Sequence, residues 1–153
     1  AVTVALEHIT AIGANVLLQN PILMQDVEPK YKELWYWHAV EESEHKAVAF
    51  DVFQAVSGNY WLRILPLVVM TITFIPSIVV LQLISLRRDK LSSDAKKMDE
   101  NKALLEAVKP ALVQLRHDYM AYYRKDFHPW DLDNRDVINQ WKKLYQETGK
   151  AAV

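Results

Sequence analysis

From Ile64 to Leu86 the chain reads ILPLVVMTITFIPSIVVLQLISL, 23 residues without one charged side chain. As a helix this run is about 34 Å long, enough to cross a hydrocarbon core of about 30 Å. Tyr60 and Trp61 place an aromatic belt at its entrance, and Arg87, Arg88 and Lys90 a basic stop at its exit. Pro76 sits in the middle, where it either kinks one helix or breaks the run into a hairpin with arms of about 10 to 12 residues. The basic cluster places the residues after the run in the cytoplasm. A single crossing would then leave everything before it outside, whereas a hairpin or an in-plane helix pair keeps both flanks together. The expectation is therefore a membrane-associated chain in contact with lipid, its soluble part cytoplasmic. A buried core helix is the alternative.

The rest of the chain is built differently. Its 153 residues suffice for one domain with a sizeable core. With 18 basic and 19 acidic residues and no basic stripe interleaved with aromatics, nucleic acid is excluded as a partner. Cysteine is absent, which removes disulfides, thiolate ligands and Cys nucleophiles together. No Gly-rich loop offers a phosphate cradle. The hydrophobic periodicity predicts an all-α fold. A first, nearly charge-free helix ends at Asn20–Pro21, and a second opens at Asp26–Pro29 and continues to about Val56. After a polar linker, Lys90 to Asn101, an amphipathic helix covers roughly Lys102 to Arg124 and a last one Arg135 to Gln146. Three stretches follow: 1–58 as a metal-binding helix pair, 59–90 as the apolar segment, and 91–153 as C-terminal amphipathic helices.

The second helix carries the chemistry. In WYWHAVEESEHKAVAFD, His38, Glu42 and His45 fall at spacings of four and three, all within roughly 40° of His38's direction on a helix. Two imidazoles and a carboxylate on one face form a half-site for a first-row metal. Leu34, Ala49 and Val52 continue that face, so the triplet is expected inside a core-facing stripe. Glu7 is the only formally charged residue of the first helix, among the small residues Thr3, Thr10, Ala11 and Ala14. A lone carboxylate on a buried helix needs a partner, either a cation or a metal. His8 points about 100° away and reads as a core residue. Between Asp126 and Asn134, His128, Asp131 and Asp133 either hold a cation or cap the last helix.

Three stretches together resemble a known family. ALEHITA, LWYWHAVEESEHKAVAFDVFQAV and FHPWDLDN look like the family catalogued as predicted metal-dependent hydrolases, which belongs to the ferritin-like, carboxylate-bridged helical proteins. The resemblance implies a four-helix bundle whose two metals are held by two lone Glu residues and two Glu-x-x-His pairs. Glu7 matches a lone Glu, and Glu42 with His45 one pair; His38 is similar to the additional His of di-iron N-oxygenases acting on aromatic amines. The second half-site would precede Ala1, so the chain resembles only the C-terminal part of such a protein. The missing helices are expected from an N-terminal portion or from a partner chain.

The metal ligands expected are thus Glu7, His38, Glu42 and His45. This set suits Fe or Mn better than Zn. The resemblance implies a membrane-associated enzyme with a di-metal site, in the first instance a di-iron centre oxidising an apolar or aromatic small molecule. Metal-activated water attacking an ester or amide is the second expectation. A non-catalytic membrane subunit of a larger assembly is the third.

Overall fold

The computed structural model describes residues 1–88 and 95–148, and those residues form helices and turns with no strand among them. Helix α1 (Val2–Gln19) is central: it packs against α2 (Pro29–His45), α3 (Val48–Val56), α4 (Tyr60–Arg88) and α5 (Ala95–Ala121). Helix α6 (Arg135–Thr148) lies on α2. Asn20 closes α1 by donating from its side chain to the Val16 carbonyl, and Pro21 prevents a further turn. Pro29 begins α2, where its missing N–H costs nothing.

The single helix expected from Pro29 to Val56 is broken at Lys46–Ala47. Lys46 is 5% exposed, and its ammonium donates to the Leu132 carbonyl at 2.6 Å and to Asn134 Oδ1 at 2.7 Å, above the Trp130 ring. A buried ammonium needs such acceptors, and the backbone turns to bring it to them. Ser43, fully buried, bonds the Ala39 carbonyl one turn back, a contact that favours bending.

Helix α4 runs unbroken through Pro66 and Pro76, so the hairpin hinged at Pro76 does not form. Each proline removes one backbone hydrogen bond. The carbonyls so freed are those of Leu62 and Ile72; nearby, Thr71, Thr73 and Ser77 donate their hydroxyls to other carbonyls, of Leu67, Val69 and Thr73. Helix α5 likewise passes through Pro110 and begins at Ala95, earlier than the periodicity suggests. The expected linker falls partly outside the described residues.

Val4 and Ala5 of α1, Phe50 and Phe53 of α3, Ile64 and Leu67 of α4, and Ala121, Tyr122 and Phe127 form the main core, which draws on all three stretches of the chain. Arg63 is 2% exposed within it. Its guanidinium donates to the carbonyls of Arg124 at 2.5 Å and Phe127 at 3.4 Å, ringed by Phe50, Tyr60, Tyr122 and Phe127. A smaller cluster joins Ala14, Leu18, Tyr36 and Ala39; Trp141 stacks on Tyr36 at 4.4 Å and donates its indole N–H to the Leu18 carbonyl.

Among the described residues two helices, α1 and α4, are long and apolar enough to cross a membrane. Burial separates them. α1 lies inside the bundle, whereas residues 72–85 of α4 are exposed on every side.

Candidate metal centre

α1 and α2 lie side by side, and their shared outer face carries the four expected ligands. His38 Nε2 is 3.4 Å from Glu42 Oε1, the i, i+4 contact that helical geometry provides. The other carboxylate oxygen of Glu42 accepts from Thr10 Oγ1 across the helix pair at 2.6 Å. Glu7, one turn before Thr10, has its pKa raised, first by burial and then by the Glu42 carboxylate, while His45 pulls it down. Glu7, Glu42 and His45 therefore act on one another electrostatically. His45 Nε2 itself sits 3.6 Å from Glu41 Oε2.

Among the described residues no three His, Asp or Glu side chains gather tightly enough to enclose an ion. His38 with Glu42, and His45 with Glu41, are separate pairs joined through Glu7. As a donor set they fit a divalent metal: two imidazoles and two carboxylates on one face, with Thr10 fixing one carboxylate as an outer partner does.

The face is not the core-facing stripe that the spacing suggests. Leu34 is 55% exposed and Val52 60%, and the side chains of His38 and His45 are about half or more exposed. Periodicity identifies a face, but it cannot tell whether a neighbour covers it. Beside the ligands, a groove of about 240 Å³ is lined by Thr10, Gly13, Ala14, Leu17, Trp35, His38, Ala39 and Glu42. A second groove, of about 380 Å³, continues along Thr3, Val4, Ala49, Val52, Phe53 and Val56. Both are mainly apolar.

His8 takes no part. It is buried between Tyr122, at 4.6 Å between ring centroids, and Phe127, at 5.4 Å. Burial lowers its pKa to about 4, against the backbone of Asp118 and Tyr119, which favours the charged form; its Nε2 has no hydrogen-bond partner among the described residues. The turn at residues 128–134 is a capping device. Trp130 N–H donates to His128 Nδ1, Asp131 accepts from the His128 amide, and Asp133 accepts from the amide and guanidinium of Arg135. His128 Nε2 then reaches Asp51 of α3 at 2.9 Å.

Residue types alone missed Thr10 as the partner of Glu42 and Lys46 as the residue at which the second helix breaks. Thr10 left a trace, being the polar residue one turn from Glu7. The partners of Lys46 are more than 80 residues away, and nothing local announces them.

No curated protein and no solved structure matches the chain. The family described as predicted metal-dependent hydrolase matches residues 1–133, which include all four expected ligands and the capping turn up to Asp133. On that match the chain belongs to the predicted metal-dependent hydrolase family.

Proposed function

We propose that the chain is a metal-dependent hydrolase whose divalent metal is held by His38 and Glu42, with Glu7 and His45 completing the chain's share of the ligands. The observation that carries this reading is the pairing of α1 with α2 through Thr10 and Glu42, with His38 beside Glu42 and Glu7 within its electrostatic reach on the same accessible face. When bound, such a metal supplies a Lewis acid and a water of lowered pKa. Thr10 donates its hydroxyl to one Glu42 oxygen and leaves the other for the metal. Glu41 orients His45 and is the carboxylate placed to accept a proton beside the ligand face. The groove along Leu17 and Trp35 receives the apolar part of an ester or amide.

The same donors would serve Fe or Mn in an oxidative reaction; the family description supports hydrolysis. Four donors suit one ion. The exposed apolar border of Leu34, Val48, Val52 and Val56 supports a covering surface from further helices or a partner chain that would bring more donors. Membrane association belongs to the same reading, with the exposed run of α4 contacting lipid.

The test is metal content of the purified protein by mass spectrometry, together with hydrolysis of a series of acyl esters before and after chelation. His38→Ala and Glu42→Ala are expected to lower metal stoichiometry and abolish chelator-sensitive hydrolysis. Unchanged stoichiometry in both variants refutes the ligand assignment.

A further inference from the structure

Helices α4 and α5 meet where they leave the bundle, through Thr71 Oγ1 and Tyr119 Oη at 2.7 Å. Beyond that contact the exposed apolar part of α4, Ile72 to Leu86, is about 22 Å long, short of a hydrocarbon core of about 30 Å. α4 ends at Arg88 and α5 begins at Ala95, and the chain between them reaches about 25 Å at most. α5 therefore starts within about 25 Å of the end of α4 and comes back to the bundle at Tyr119. On that return it carries Lys102, Glu106 and Lys109, all exposed, with Lys109 paired to Glu106 at 2.8 Å. Were α4 driven through a bilayer, these charges would be drawn into hydrocarbon, where Lys and acidic side chains are the least tolerated.

One helix of this pair suits lipid and the other water. We propose that α4 lies within a single leaflet of a bilayer without crossing it, α5 remaining on the aqueous side. This rests on the lipid-contact reading above. The occupant is lipid, not a second copy of the chain, because residues 72–85 are exposed around the full circumference of the helix, which one flat protein face cannot cover. The ends of α4 fit the same placement: Trp61 is 73% exposed at the entrance, where indoles settle at the headgroups, and Arg87 and Arg88 are exposed at the exit, within reach of lipid phosphates.

The absence of cysteine makes the test clean. Gln54→Cys in α3 and Ala103→Cys in α5 each add one thiol at an exposed position. The full chain, diluted from detergent into preformed vesicles of phosphatidylcholine and phosphatidylglycerol, is floated on a density gradient. It is then labelled with a membrane-impermeant maleimide, before and after the vesicles are opened. The expected result is that the protein floats and both thiols are labelled in full before opening. Flotation with Gln54→Cys labelled and Ala103→Cys protected overturns the single-leaflet placement and leaves lipid contact standing. Failure to float, with the protein a dimer in the aqueous fraction, overturns both.

Discussion

Acidification should destabilise this protein through His8, and the size of the effect can be worked from its surroundings. The ring is 4% exposed between Tyr122 and Phe127, and its pKa is lowered to about 4 from an ordinary 6.5. The unfolded chain thus takes up a proton before the folded one does. Above pH 6.5 neither state is charged at this ring and the group has no influence on stability. As the pH falls from 6.5 to 4, only the unfolded state gains the proton, so stability drops, and the drop is complete near pH 4. At about 1.4 kcal/mol per pKa unit, the loss is about 3 kcal/mol. The assay is denaturant unfolding followed by circular dichroism between pH 4 and 8, comparing the natural chain with His8→Phe, which keeps an aromatic ring and cannot titrate. His8→Phe shifts the whole curve by its own packing change; the informative quantity is the difference in slope, in which the other histidines cancel. The natural chain should lose about 3 kcal/mol more than the variant across that window. Parallel pH profiles, or an imidazole resonance of His8 that titrates near 6.5, would refute the reasoning.

Arg63→Met should cost about 2–4 kcal/mol, because it strands the carbonyls of Arg124 and Phe127 inside the aromatic ring cluster; thermal unfolding measures it, and a loss below about 1 kcal/mol would mean water replaces the guanidinium. Thr10→Val should leave the fold intact but weaken metal binding about tenfold or more by freeing Glu42, as read by competition with a chromogenic chelator. Gly58 sits at φ +59 after α3, so Gly58→Ala should cost about 1 kcal/mol from backbone strain; the added methyl meets Gln54 Oε1 at 3.1 Å, a flexible end that can move away.

Helix content was legible because α6 carries an apolar spacing close to 3.6 residues and because α1 and α3 end at recognisable stops, Asn20–Pro21 and Ser57–Gly58. The break at Lys46 was not legible, since it is set by Leu132 and Asn134, partners that exist only once the fold is complete. Pro76 misled in the other direction: a proline reads as a breaker, yet in a helix of 29 residues the loss of one backbone bond bends or weakens a turn without ending the helix. At the candidate site, spacing correctly placed His38 beside Glu42, because that contact lies within one helix. It could not foresee that His45 would turn toward Glu41, or that the face would lie open, because both depend on what stands opposite.

The central position of α1 has a consequence during synthesis. Its partners arrive late: Asn15 bonds Asn134 across 119 residues, Trp141 reaches Leu18 across 123, and the Tyr122 and Phe127 rings enclose His8. At 5–20 residues per second, a ribosome takes roughly 6 to 24 s to make the stretch between Asn15 and Asn134. For that interval an 18-residue apolar helix, hydrophobic enough to resemble a membrane span, has no C-terminal cover. The nascent chain thus shows the targeting machinery two such helices in turn, and only the second, α4, keeps its apolar surface once translation is finished.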